Sequence, residues 1–344
     1  MVELTQLPGF ARNADLEKLL AELNTLLGNA EDQVLEDFHH PRFPLVMVVG
    51  APRSGTTLMM QWLANSGAFA YPSNLLSRFY QAPYIGAKIQ QLLTDPRFAF
   101  RDELQEWRQM EPNWENELGK TSGTLAPNEF WYFWRRFFSY PDVQFLDDAA
   151  LAQVDIPTLA AELDALTSVF GKPFAFKGLM FNWNLPFMAE KFPQMVFIHT
   201  RRDPFWNAQS LLRARQKYFG TISRWYSFKP PAYEAVRDCD AFHQVAVQVM
   251  ETDRDVCQGL AEIAPERHIT VDYQQFCENP AMVWHRLRTL LANAGWELPA
   301  GYEGPPSFDV RTPKFLDAAG KERLRKALWS RYRLAEETLV KEGS

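Results

Sequence analysis

Five consecutive apolar residues, Leu45-Val46-Met47-Val48-Val49, run directly into Gly50-Ala51-Pro52-Arg53-Ser54-Gly55-Thr56-Thr57. A strand-length run with no polar position, bounded by Pro44 and Gly50, has no face to offer water. It reads as a strand inside a parallel sheet covered on both sides. The Gly/Ser-rich turn that follows, and a helix predicted from about Thr56 to Ala64, aim backbone N–H groups and a positive helix end at one point. That combination is an anion cradle.

The rest of the chain supports an α/β reading. Further strands are expected at Phe174 to Lys177, Met195 to His199 and His268 to Val271, separated by helices at 152–168, 184–191, 204–217, 240–262 and 280–294. Alternation of this kind implies a central parallel sheet flanked by helices. Residues 1–40 read as a helical arm. Asp15 is its cap, Leu16, Leu19, Leu20, Leu23, Leu26 and Leu27 form its apolar stripe, and Gly28 is its end. The stripe suits packing on the body or a homodimer contact. Residues 41–344 are expected to form a single α/β domain with an aromatic-rich insertion at about 66–150.

Composition narrows the function. The 344 residues carry 36 Lys+Arg against 42 Asp+Glu, a net charge of −6, which excludes nucleic-acid binding through overall charge and makes any anion site local. Cys239, Cys257 and Cys277 form no C-x-x-C, so a reducing, cytoplasmic setting is expected rather than a disulfide framework. The start, MVELTQLPGF, has neither the basic nor the apolar region of a signal peptide, and no run of membrane-spanning length is present.

Gly50 and Gly55 have the spacing of the nucleotide-triphosphate loop G-x-x-x-x-G-K-[ST], and Thr57 matches its hydroxyl position. Thr56 stands where the lysine belongs, and the loop's cation is Arg53 instead. A second strand-to-helix junction, Ile198-His199-Thr200-Arg201-Arg202-Asp203-Pro204, places an N-cap aspartate before a first-turn proline. Ser210 lies seven residues beyond Asp203, about 700° at 100° per residue, and so on the same helix face. Arg202 and Ser210 are therefore expected to form a guanidinium–hydroxyl clamp for an anion.

The two segments together resemble the sulfotransferases that use 3′-phosphoadenosine 5′-phosphosulfate (PAPS). Pro52-Arg53-Ser54-Gly55-Thr56-Thr57 is similar to that family's 5′-phosphosulfate loop, and Arg202 and Ser210 to its 3′-phosphate-binding Arg and Ser. The Arg-Asp-Pro form at 202–204 is typical of bacterial members, and Val271-Asp272-Tyr273-Gln274-Gln275-Phe276 to Pro280 resembles a later segment of the family. The likeness spans about Phe43 to Trp296. It implies a P-loop-like fold and transfer of a sulfuryl group to a hydroxyl or amine of a small-molecule, lipid or glycan acceptor. The product would be 3′-phosphoadenosine 5′-phosphate (PAP), and no metal would be required.

On this resemblance Arg53 serves the phosphosulfate and its leaving group, with Ser54, Gly55, Thr56 and Thr57 adding N–H and hydroxyl donors. Lys177, at the end of a strand, matches a lysine that touches the sulfuryl. The histidine that commonly follows it is missing from Leu179-Met180-Phe181-Asn182, and the glutamate some members carry after the first helix is missing from Ser73-Asn74-Leu75-Leu76. Glu129 and His243 are the candidate bases, while His199 is expected to support the clamp without touching the reacting groups. Phe308 to Lys314 is a candidate flap, with Arg311 and Lys314 as further cations.

Trp131, Phe133, Trp134, Phe137 and Phe138 are too apolar for an exposed helix and are expected mostly in the core, with some lining an acceptor pocket. Arg135 and Arg136 are expected on a solvated face. The chain shows no run of His, Cys and Asp at metal-ligand spacing. Two other readings stay open: a P-loop kinase or NTPase, against which the missing lysine counts, and a non-catalytic nucleotide-binding protein of the same fold.

Overall fold

The computed structural model describes residues 13–342 apart from 102 and 109–113, with side chains described up to Arg331. Four strands, β1 (Leu45–Val49), β4 (Phe174–Lys177), β5 (Met195–Arg201) and β6 (His268–Asp272), form a parallel sheet in the order β4-β1-β5-β6. The short strands β2 (Asn116–Glu117) and β3 (Lys120–Thr121) make a separate antiparallel hairpin. Helices Thr56–Asn65, Ile156–Phe170, Leu185–Lys191, Pro204–Phe219, Ala241–Ala261 and Pro280–Asn293 connect or flank the sheet.

The all-apolar β1 is explained by what covers it. Leu45, Met47 and Val49 belong to one core cluster, with Trp134, Leu163, Val256 and Leu260. Val46 and Val48 belong to the opposite one, with Met59, Trp62, Phe276 and Trp284. Alternate side chains of a strand point to opposite faces, so a strand covered on both has only buried positions. The chain leaves β1 for β4 on one side and then returns to β5 on the other. The order reverses at β1, and ligands of parallel sheets bind beyond the strand ends at such a switch point.

The expected strands are present, with β5 and β6 extended to Arg201 and Asp272 because those two residues still pair. The arm departs from its expected limits. Its helix is Ala14–Leu35, Asn13 rather than Asp15 is the N-cap, and the helix runs through Gly28. Tertiary contacts outweigh the glycine: the Asn24 amide donates to Arg78 O, and buried Glu31 accepts the N–H groups of Tyr84 and Ile85 at 2.6 and 3.0 Å. Leu19 and Leu26 are left exposed. The long helix Ala318–Glu342 is one that the sequence reading does not anticipate.

Arg136 is exposed, as expected, but it also makes a contact the sequence does not show: a bidentate pair with the buried carboxylate of Glu162 at 2.7 and 2.8 Å. Burial pushes Glu31 up to about 7 against its two backbone donors, and pushes Glu162 to about 7 against Arg136. The folded chain therefore holds protons that the unfolded chain releases above 4.5. Their stabilisation is complete below that value and is lost as pH rises through 7. Urea unfolding at about pH 5 and about pH 7.5 is expected to show stability falling by up to roughly 3 kcal/mol per group, and Glu31→Gln should flatten the slope. A wild-type profile that is level across this interval would contradict the assignment.

Candidate active site

A cavity of about 840 Å³ opens beyond the strand ends. Arg53, Gly55, Thr56, Thr57, Glu129, Lys177, Arg202, Ser210 and Arg311 all line it, so residues far apart in sequence converge there. Ser54, Lys314 and His243 do not line it. Ser54 is buried with its hydroxyl 2.9 Å from that of Thr200, which ties the loop to β5. Lys314 is exposed. His243 is a half-exposed partner of its own N-cap residue, Asp240, at 2.8 Å. His199 is buried on the sheet face of helix Ala241–Ala261, near Asp253, and supports no contact to Arg202.

The loop turns through left-handed backbone at Arg53 (φ 71°) and Gly55 (φ 111°). A Cβ at Gly55 would lie 2.6 Å from the Tyr273 ring, so only glycine lets the helix start against that ring. Helix Thr56–Asn65 has no side-chain cap, and its first N–H groups remain open to an anion. The loop's start is held by Asn182, which accepts from Gly50 N–H at 3.1 Å and donates to Gly50 O at 3.0 Å.

The predicted Arg202–Ser210 contact is absent and is replaced by another. Arg53 crosses to helix Pro204–Phe219, and its Nε donates to Ser210 Oγ at 3.2 Å. Arg202 instead donates to the carbonyls of Arg53 and Arg311 and lies 4.6 Å above the Tyr273 ring. The two anion sites that are separate in sequence are thus one continuous surface. Among the described residues, none of Arg53, Arg202 and Arg311 forms a salt bridge with a carboxylate. Burial first, and then the charge of Arg311, lower Arg53 from its ordinary value; burial and Arg53 do the same to Arg202. Guanidinium groups crowded and desolvated in this way are stabilised by a polyanion.

Lys177 provides the cation that the loop lacks at Thr56. Its Nζ donates to Thr57 Oγ1 at 3.2 Å and to Glu129 Oε1 at 2.6 Å. The other carboxylate oxygen of Glu129 accepts from Trp131 Nε1 at 2.6 Å. Burial acts to raise the Glu129 carboxyl, but Lys177 and the indole N–H outweigh it and hold the group below the ordinary carboxylate value. Glu129 therefore presents an ionised carboxylate to the cavity at neutral pH.

Several lining groups escape sequence reasoning. The β2–β3 turn roofs the loop: Thr57 donates to Gly119 O at 3.3 Å, and a Cβ at Gly119 (φ 91°) would lie 2.5 Å from Arg53 Nη1. Tyr226 and Phe228 enter from the segment after helix Pro204–Phe219, where buried Gln248 donates to both of their carbonyls at 2.8 Å. Phe228 stacks on Trp131 at 5.1 Å with planes 10° apart, making an aromatic wall beside Glu129. Trp131 is thus on the cavity, whereas Phe130, Phe133, Trp134 and Phe138 are core. A Gly inside a two-residue turn and a glutamine within a helix carry no distinctive sequence signal. The adjacent Glu129 and Trp131 do. The candidate flap is in place: Phe308, Asp309, Arg311, Thr312 and Pro313 line the cavity, and Arg311 N–H donates to the Tyr273 hydroxyl at 3.2 Å.

An anion cradle at the switch point of a parallel sheet, lined by Arg53, Arg202, Arg213 and Arg311 and by a Lys–Glu pair, defines a protein of the P-loop-like α/β class. More narrowly, the model of the sulfotransferase family matches residues 44–298, and the chain belongs to that family. Sulfotransferase STF9 from Mycobacterium avium shares the fold at 18% identity, with a TM-score of 0.50 over 92% of this chain and 78% of that one. Sulfotransferase STF1 from Mycobacterium tuberculosis H37Rv aligns at 14% identity with a TM-score of 0.49, over 80% and 77% of the two chains. No curated protein matches the chain.

Proposed function

We propose that this member transfers a sulfuryl group from PAPS to a hydroxyl or amine of a small-molecule, lipid or glycan acceptor. The observation that carries the reading is the division of the cavity's charges. Arg53, Arg202 and Arg311 are unpaired with carboxylates on one side among the described residues, while Lys177 and Glu129 are paired on the other.

The guanidinium groups and the loop N–H groups hold the two phosphate ends of the donor. Lys177 is within reach of both Thr57 and Glu129, where a sulfuryl group meets an acceptor. The acceptor oxygen bonds to sulfur as the bond from sulfur to the bridging oxygen breaks. PAP leaves with the electron pair, stabilised by Arg53, and the acceptor proton passes to Glu129. As Lys177 turns to the sulfuryl oxygens, Glu129 loses the neighbour that keeps its proton affinity low, and burial then favours proton uptake. The wall of Trp131 and Phe228 suits an acceptor with an apolar or ring face. Among the described residues no helix is long and apolar enough to cross a membrane.

A thermal-shift titration tests the donor. PAP is expected to raise the melting temperature by mass action, more than ADP does, with ATP–Mg giving no comparable shift. Arg202→Ala should weaken PAP by roughly 1.5–3 kcal/mol, about 10- to 150-fold. Stabilisation by ATP–Mg alone would move the reading to a nucleoside triphosphate enzyme. Tight PAP binding with no sulfation across a broad hydroxyl library would favour a non-catalytic binding protein.

A further inference from the structure

The linear sequence shows no metal-ligand spacing, but the fold assembles a cluster outside the cavity. His199 near the end of β5, and Asp253 and Cys257 one turn apart on helix Ala241–Ala261, bring one ligand atom each to within 4.8 Å of one another. We infer that these three residues form a site for a zinc-class transition-metal ion, independent of the donor cavity.

Two separate observations meet here. The first is the donor set. Imidazole, thiolate and carboxylate together suit zinc and its first-row neighbours, and not magnesium, which takes oxygen ligands. A tetrahedral zinc ion separates such donors by roughly 3.3–3.6 Å, given Zn–S near 2.3 Å and Zn–N or Zn–O near 2.0 Å. The three ligand atoms lie within 4.8 Å of one another, so a bound ion would draw them closer together. Cys257 is exposed, so a water has access to the fourth position.

The second observation is the state of His199. Its side chain is fully buried, and among the described residues Nδ1 has no hydrogen-bond partner. Nε2 lies 3.2 Å from Asp253 Oδ1, so imidazole and carboxylate already face each other inside the cluster. A buried ring nitrogen without a partner is costly in a native fold, and a bound cation would use one of the ring's lone pairs. Arg201 grips the same carboxylate, with Nε to Oδ1 at 3.0 Å and Nη2 to Oδ2 at 2.6 Å. Oδ2 can stay with Arg201 while Oδ1 turns to the metal. The guanidinium then orients the ligand, as outer groups do at metal centres, and also limits affinity through its charge.

The test is calorimetric titration of Zn²⁺ and, separately, Mg²⁺ into chelator-treated full-length protein. Every sample carries Cys239→Ser, because Cys239 is a second exposed thiol. One Zn²⁺ per chain is expected, with no Mg²⁺ uptake. Cys257→Ser and Asp253→Asn should each weaken Zn²⁺ at least tenfold, and circular dichroism should show both variants folded. The Co²⁺ form should display a thiolate-to-cobalt charge-transfer band that Cys257→Ser abolishes. Absence of Zn²⁺ binding by the folded parent, or unchanged affinity and an unchanged band in Cys257→Ser, would overturn the site. The PAP thermal shift does not depend on this cluster, so failure here leaves the donor reading intact, and the reverse also holds.

Discussion

Glu129→Gln is expected to lower turnover by about two to four orders of magnitude, the range supplied by a positioned general base. PAP affinity should hardly change. The substitution preserves size and leaves an oxygen for the Trp131 indole, but it removes the proton acceptor and the partner of Lys177. Because the carboxyl is held low in the free enzyme, the acid limb of the wild-type kcat/KM profile should lie below 4.5. Protonation of Glu129 on falling pH removes the base, and the Gln variant should lack that limb. Near-normal turnover in Glu129→Gln would mean that the acceptor gives its proton elsewhere.

Arg53→Ala is expected to cost about two to three orders of magnitude in kcat, comparable to deleting one donor aimed at developing negative charge. The guanidinium lies half-buried between Ser210 and the Gly119 turn, beside the helix end that would hold the leaving phosphate. Its left-handed backbone at φ 71° is already uncomfortable for a residue with a Cβ, and alanine inherits that geometry without relieving it. A melting temperature close to wild type alongside the kinetic loss would separate charge stabilisation from folding. Retained turnover would assign the leaving group to Lys177 and the loop N–H groups alone.

The parts of the site that repeat a local rule were legible in the chain. An apolar run closed by Gly50 specifies a doubly covered strand, and Gly55-Thr56-Thr57 after it specifies a helix start open to an anion. Lys177 was legible as the last residue of a short strand in a parallel sheet, and Glu129 as an acid ahead of an aromatic helix. Contacts decided by tertiary packing were not. Ser210 was placed on the correct face but takes Arg53 rather than Arg202, because residues from two different crossovers meet there. Arg136 was placed on an exposed face, but its partner was not legible because Glu162 lies 26 positions away on another helix. Gly28 looked like a helix end because a glycine's local preference says nothing about the buried Glu31 beyond it.

Asn182 couples the anion loop to the chain that follows the Lys177 strand. It stands just past the Lys177 strand, and its amide clasps both backbone groups of Gly50. The residues between, Gly178 to Phe181, include Leu179 on the cavity wall and Phe181 in the core. Reshaping that stretch to admit a bulkier acceptor would thus shift the peptide from which the loop starts, and with it the anion cradle of the proposed function. On the proposed function, donor and acceptor recognition would be geared together, and selections for new acceptors should keep residue 182 and its clasp fixed while varying the opposite wall.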